Sequence, residues 1–221
     1  MSSEAIEWFD VPSVLGRRAA ALLGLSRVPI VELDESHRPL ILAHLLALGQ
    51  EDRRLRFSYA LGDGAIAKYV TKIDFSQDSL FGIFGKDNVL LGVVHISIFP
   101  RKEGSTAPKA AELGLSLNAD MRGHGLGTLL FKRALQRVRN EGVERLFIFT
   151  LVDNDAMLAI ARKLDMRVHN ADGQTEAHLD IRPGNTGTAI REFVDEQLAE
   201  VDHLFKASLN QFKRWAEDIV S

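Results

Sequence analysis

Hydrophobic and polar positions change rhythm along this chain, and each change marks an element. Leu113, Leu115 and Leu117 alternate with Glu112, Gly114 and Ser116, the period of two of a half-buried strand whose polar face carries one carboxylate among small residues. A turn containing Gly123, Gly125 and Gly127 follows. Leu126, Leu129, Leu130, Ala134 and Val138 then recur at helical spacing as far as Asn140 and Gly142, residue types that end helices. This strand, turn and helix, residues 111–140, organise the rest. Upstream, Ile30, Val31 and Leu33 predict a first strand, and Leu40, Leu42, Leu45, Leu46 and Leu48 a helix. Two apolar runs, 80–84 and 89–99, flank the turn composition of 85–88 and predict an antiparallel hairpin, with a loop over 101–109. Downstream come a buried strand over 146–151, a helix over 155–164, and a second hairpin whose strands, 168–170 and 177–181, flank a turn over 171–174. Strands first, then strand, helix, strand and helix, predict an α/β (α+β) protein with a mixed sheet and helices on both faces.

The two ends have a different texture. Residues 1–29 read as a helical extension with a short helix over 12–25, residues 30–183 as the main domain, and 184–221 as a second extension. After Pro183 and Gly184 one long helix is predicted over 190–219, with Val194, Leu198, Val201, Phe205, Leu209, Phe212, Trp215 and Ile219 at near-heptad spacing. Such a stripe needs cover, either from its own domain or from a second subunit in a homodimer.

Composition narrows the chemistry. A chain of 221 residues with 46% hydrophobic content can bury a sizeable core. A net charge of -3 without a basic block predicts neither nucleic-acid nor membrane binding. Arg53, Arg54 and Arg56 are too small a cluster to alter that. With no cysteine, the chain has no disulfide, no thiolate metal ligand and no cysteine nucleophile. No apolar run reaches the length of a membrane span and no basic-then-apolar segment opens the chain, so a cytoplasmic location is expected. No element carries histidines and carboxylates at ligand spacing, so no metal is expected. His95, inside an apolar run, reads more readily as a hydrogen-bonded core residue than as a catalyst.

A glycine turn that opens a helix exposes backbone N–H groups at the positive end of the helix dipole, where a phosphate can approach closely. The simpler alternative is that these glycines only make a tight turn. Spacing separates the phosphate motifs. No Gly-Lys-Ser/Thr follows, which excludes the P-loop, and Thr128 or Leu130 stands where the dinucleotide fingerprint needs a third glycine, although Asp153 could serve as a ribose partner.

The third pattern matches. Arg122-Gly123-His124-Gly125-Leu126-Gly127 resembles the Arg/Gln-x-x-Gly-x-Gly/Ala signature of the GNAT superfamily of acyl-CoA-dependent N-acetyltransferases. Its flanks agree: Glu112 stands ten residues before Arg122, a strongly apolar strand follows the helix, and Asn154 opens the next helix. Covering roughly 30–183, the resemblance implies a GNAT-like, mostly antiparallel sheet flanked by helices. It also implies acetyl-CoA as cosubstrate and direct transfer of its acetyl group, in a ternary complex, to a primary amine of a small molecule or a protein. On this resemblance the turn residues Gly123, His124, Gly125, Leu126, Gly127 and Thr128 surround the pyrophosphate with Arg122 beside them. Leu115, Ser116 and Leu117 hold the pantetheine arm through their backbone, and Asn154 reaches it from the other side. A lysine-type amine, with a pKa near 10.4, enters protonated and needs a base, for which Glu112 is the candidate.

Other positions modify the expectation. Residues 52–57, Asp-Arg-Arg-Leu-Arg-Phe, resemble a segment of bacterial acetyltransferases, and they read equally as a charged helix end with Leu55 and Phe57 in the core. Ala161 stands where many relatives carry a tyrosine that protonates the departing thiolate, seven residues after Asn154, and Asp165-Met166 replaces the usual Gly-Phe. These departures favour a second expectation, a catalytically silent acyl-CoA-binding sensor or assembly subunit acting through the C-terminal helix. The segments 51–75 and 169–174, which contact the acceptor in this superfamily, do not identify the amine.

Overall fold

The computed structural model describes residues 7–9, 28–85, 88–101, 104, 106–171 and 173–181. The helices expected over 12–25 and 190–219 lie outside them. The described chain forms a mixed sheet of eight strands: β1 (Glu7–Phe9), β2 (Val28–Leu33), β3 (Asp78–Phe84), β4 (Leu90–Phe99), β5 (Ala110–Leu117), β6 (Arg145–Leu151), β7 (Arg167–Ala171) and β8 (Gln174–Asp180). Their order across the sheet is β1-β2-β3-β4-β5-β6-β8-β7, and every neighbouring pair is antiparallel except β5 and β6. Five helices accompany them: α1 (Arg38–Leu46), α2 (Gln50–Phe57), α3 (Asp63–Thr71), α4 (Leu126–Asn140) and α5 (Asp155–Lys163).

The alternation along the strands divides the apolar residues between two faces. On one face Phe81, Val94, Ile96, Leu113, Leu146 and Ile148 pack under Leu126, Leu130, Phe131 and Val138 of α4 and Met157 and Ala161 of α5. On the other, Leu33, Leu80 and Val93 pack under Ile41 and Leu45 of α1, Phe57 of α2 and Ile66 and Val70 of α3. The expected helices on both faces are therefore present. Towards the middle of the second face the apolar cover gives way to a partly buried polar strip that carries Ser97, Glu112 and Gly114, with Ser97 opposite Glu112 and His95 opposite Gly114 in register.

Both predicted hairpins form. The first pairs β3 with β4 and contains a bulge between Ile83 and Phe84, while the second joins β7 to β8 through a tight connection containing Gly173 at a φ of 78°. Strand β1 and helix α3 were not expected. The first is three residues long, too short for a periodic signal. The second is marked only by Ile66 and Val70, one turn apart behind Gly62, inside a segment whose charges dominate its reading.

The constraint that matters for function is the pairing of β5 with β6. They share three register pairs, Ala110 with Arg145, Ala111 with Leu146 and Glu112 with Phe147. Beyond Glu112 they separate, so the edge of β5 from Leu113 to Leu117 faces a wedge instead of a strand. Helix α4 closes the far side of that wedge, and its fully buried Phe131 sits at the centre of the larger core. Phe131→Ala is expected to lower stability by about 3–5 kcal/mol, seen as a lower urea midpoint with the slope of the transition unchanged.

Candidate active site

Helix α4 begins with Gly125 at its N-cap, at a φ of 85°, after Gly123 at 75°. Both are left-handed conformations that a side chain disfavours. Gly127 meets a different demand: a Cβ there would lie 3.2 Å from Ile160 and 3.4 Å from Leu117, so its absence lets α4 approach α5 and β5. No side chain caps the helix, and its first backbone bond runs from Leu129 N to Gly125 O. Among the described residues none of the backbone N–H groups from Gly123 to Thr128 has a hydrogen-bond partner. Six consecutive donors thus converge at the positive end of a 15-residue helix.

They open into a cleft of about 320 Å³ that enters the wedge. Of the residues the sequence nominates, Leu115, Ser116, Leu117, Arg122, Gly123, Gly125, Gly127, Thr128 and Asn154 line it. His124 and Leu126 do not. Leu126 is wholly buried in the core, and His124 is partly buried with an Nδ1 that has no partner. Lys163, and Asp52, Leu55 and Arg56 on α2, are among the other residues that line it. Sequence reasoning did not place these four in the site, although three of them belong to the 52–57 segment.

Several nominated side chains already have work. Arg122 pairs with Asp52 at 2.8 Å and donates to the Leu117 carbonyl at 3.1 Å, so it ties the turn to α2. An incoming phosphate would compete with Asp52 for it. Asn154 accepts from Met157 N at 3.2 Å as the N-cap of α5 and donates to Thr150 Oγ1 at 2.8 Å and to the Leu55 carbonyl at 3.3 Å, bridging the wedge to α2. Both of its donors are engaged within the protein. Arg54 adds a second tie from α2, to Asp153 at 2.6 Å.

Ser116 is buried, and its hydroxyl meets His44 Nε2 at 2.9 Å. His44 Nδ1 lies 3.0 Å from the Leu90 carbonyl, which can only accept, so Nδ1 carries the proton and Nε2 accepts from Ser116. Burial, reinforced by the charge of Arg56, holds the His44 pKa below 6.5. Ala161, at the position of the missing tyrosine, is packed in the core.

At its inner end the cleft meets a smaller cavity, about 60 Å³, lined by Glu112, Gly114, Tyr59, Phe149 and Gln174. Glu112 has no hydrogen-bond or ion-pair partner among the described residues. Burial raises its pKa above 4.5, and the nearby charge of Arg56 opposes the rise. A carboxylate with a raised pKa at the end of a cleft is suited to taking a proton. His95 is half-buried and paired with Asp78 at 3.1 Å, and it is hydrogen-bonded to Tyr69 at 2.5 Å. Among the described residues no cluster of three or more histidines or carboxylates could hold a metal, and no helix is long and apolar enough to cross a membrane.

With this geometry in view, comparison with known proteins places the chain. The family model of the Acetyltransferase (GNAT) family matches residues 50–166, more than half of the sequence, and the chain belongs to that family. Its fold is similar to the GNAT domain of S. lividans PAT (17% identity, TM-score 0.59, 70% of this chain and 91% of that one). It is also similar to ribosomal-protein-alanine N-acetyltransferase from Brucella melitensis (14%, 0.52, 67% and 96%). Spermidine N-acetyltransferase from Vibrio cholerae, solved in complex with CoA and spermine, is a third (15%, 0.52, 70% and 94%). At these identities the likeness is one of fold.

Because His44 is held neutral, its contribution to stability is fully present above pH 6.5 and is lost as pH falls through its lowered value. His44→Gln, which keeps one donor and one acceptor, should therefore show a shallower fall in Tm between about pH 7 and pH 5, measured by thermal denaturation.

Proposed function

We propose that this chain is an N-acyltransferase that moves the acetyl group of acetyl-CoA to a primary amine by direct transfer in a ternary complex. The observation that carries the reading is the continuity of the wedge: unpaired backbone donors stand at its outer end and the unpartnered Glu112 beyond its inner end. Gly123 to Thr128 would hold the pyrophosphate, with Arg122 and Lys163 supplying positive charge. The open edge of β5 at Leu115 and Ser116 would bind the pantetheine arm. The Leu117 carbonyl is already taken by Arg122.

Glu112, directly or through water, would take the proton of the acceptor amine. Its elevated pKa keeps it closer to that of the amine than an exposed glutamate would be. The amine nitrogen then bonds to the thioester carbonyl carbon, the carbon–sulfur bond breaks, the thiolate leaves with the electron pair, and the proton left on nitrogen passes to water or to that thiolate. With Ala161 in place of a tyrosine, the thiolate departs unprotonated or takes a proton from water, a modest cost for a thiol whose pKa is about 8.5. Ala161 is also what favours the second reading, an acyl-CoA binder without turnover. The acceptor is a small-molecule or protein amine that reaches Glu112 past Tyr59, Phe149 and Gln174.

Calorimetric titration with acetyl-CoA tests the site. Binding in the micromolar range, about -8 kcal/mol, is expected, whereas no binding of acetyl-CoA or longer acyl-CoAs would overturn the reading. Turnover can be followed by thiol release, since a cysteine-free chain adds no background. Glu112→Gln should bind acetyl-CoA like the parent and turn over at least about tenfold more slowly. An equally fast variant would sink the base assignment, and a parent that binds without turning over any amine would favour the silent reading.

The pH dependence follows from the groups around Glu112: Arg56 from α2, Tyr69 from α3, and Ser97 and His95 from β4. Since the ionised base is the active form and its pKa is raised, activity should be lost as pH falls, on a limb lying above 4.5. In stability the same shift acts oppositely. A raised carboxyl favours the fold below pH 4.5 and loses that benefit as pH rises through the raised value, so Glu112→Gln should melt no lower than the parent at pH 7.

A further inference from the structure

The cofactor cleft and the Glu112 cavity share four lining residues, Leu55, Arg56, Leu115 and Met157. Three are apolar, so the passage between the two spaces contains one charge. The fold goes to some length to hold it there. The Arg56 guanidinium lies across Gly114 of β5, where a Cβ would fall 2.3 Å from its carbon, so any side chain at 114 would displace it from this position. It stands 4.8 Å from the ring of Phe57 and 5.8 Å from that of Tyr69. Nη2 donates to the Tyr69 hydroxyl at 3.1 Å. With His95 as the Nε2–H tautomer that Asp78 Oδ2 selects, the Tyr69 hydroxyl donates to His95 Nδ1 and His95 Nε2 donates to Asp78. All bonds in the chain from Arg56 to Asp78 run in one direction, which fixes the orientation of every member.

Two donors of Arg56 remain outside this network. Nε is buried with no partner, and Nη1 has none among the described residues. A buried guanidinium donor without an acceptor is costly unless a ligand supplies one. Glu112 does not supply it: the two charges are close enough for Arg56 to influence Glu112, yet they form no ion pair. They flank a common space.

We propose that Arg56 is a catalytic residue that donates to the thioester carbonyl oxygen of the bound acyl-CoA and stabilises the negative charge that gathers there. This rests on the acyl-CoA reading above. As the amine nitrogen bonds to the carbonyl carbon, the carbon–oxygen π electrons move to oxygen, opposite the Arg56 donors. When they return, the carbon–sulfur bond breaks, the thiolate carries away that electron pair, and the remaining nitrogen proton passes to water or to the departing thiolate. The positive charge polarises the carbonyl in the ground state and acts most strongly while full charge is on oxygen, so it favours the transition state over the ground state. It also disfavours an ammonium ion in the passage, so the amine attacks only after its proton has passed to Glu112.

The test uses the full chain and acetyl-CoA labelled with carbon-13 at its carbonyl, whose stretching band is read by difference infrared spectroscopy without any acceptor. In the parent complex the band should lie below that of free acetyl-CoA. In Arg56→Met it should return towards the free value, and in Arg56→Lys it should fall between. Calorimetry should show acetyl-CoA binding within about threefold of the parent for both, while thiol release in the presence of an accepted amine should fall at least about 100-fold in Arg56→Met. An unmoved band in an Arg56→Met complex that binds acetyl-CoA overturns the proposal and leaves the acyl-CoA site intact. A parent that binds no acetyl-CoA overturns both. Should Arg56→Met fail to fold, Arg56→Lys and Tyr69→Phe decide: bands identical to the parent in both overturn the assignment, and shifts towards the free value support it.

Discussion

Three residue pairs between β5 and β6, and no more, are the condition on which the site depends. Were the pairing to continue past Glu112, the backbone of Leu113 to Leu117 would be satisfied by a neighbouring strand and no cleft could enter the sheet. The separation has a structural requirement of its own, because freed strand edges and carbonyls must find other partners or water. Helix α2 meets much of it. It lies across the wedge, receives a hydrogen bond from Asn154 at the Leu55 carbonyl, and is tied to the connection after β6 and to the glycine turn by the Arg54–Asp153 and Asp52–Arg122 pairs. Both ion pairs are partly exposed, so they locate the helix more than they stabilise it. Phe57, buried beneath, supplies the stabilising contact.

This arrangement also distributes charge along the cleft. At its mouth the helix dipole, Arg122 and Lys163 favour an anion. In its middle the walls are apolar except for Arg56, and at its inner end Glu112 and Arg56 face each other without joining. In such surroundings neither charge is well hydrated, which is why burial raises the pKa of Glu112 even beside a cation. The Tyr69 hydroxyl responds in the same way: burial raises its pKa despite its contact with Arg56, and it stays a neutral donor.

What the sequence discloses and what it conceals divide along the range of the interactions. The alternation of Leu113, Leu115 and Leu117 with Glu112, Gly114 and Ser116 is a local pattern, and so is a run of glycines before an amphipathic helix. Both elements are legible, and with them the position of an anion cradle and of one carboxylate. The use of each side chain is not local. Ser116 is claimed by His44, 72 residues away, and Asn154 by Leu55, 99 away. Arg56 reads as one charge in a basic cluster until the fold lays it across Gly114. His95 reads as a core histidine, and its role as a link between Tyr69 and Asp78 depends on the register of β3, β4 and α3. The short strand β1 and helix α3 carry too few periodic residues to announce themselves.

Gly114 carries a further meaning for how sequences of this layout can diverge. The hydrogen in place of its side chain is the seat of the Arg56 guanidinium, and the two positions are 58 residues apart in the chain. A substitution at 114 removes the seat before any change at 56 could make it unnecessary, whereas loss of the arginine first leaves the glycine harmless but purposeless. The two positions are therefore coupled: a side chain at 114 and an arginine seated as Arg56 is here exclude each other, so a change at 56 widens the choice at 114.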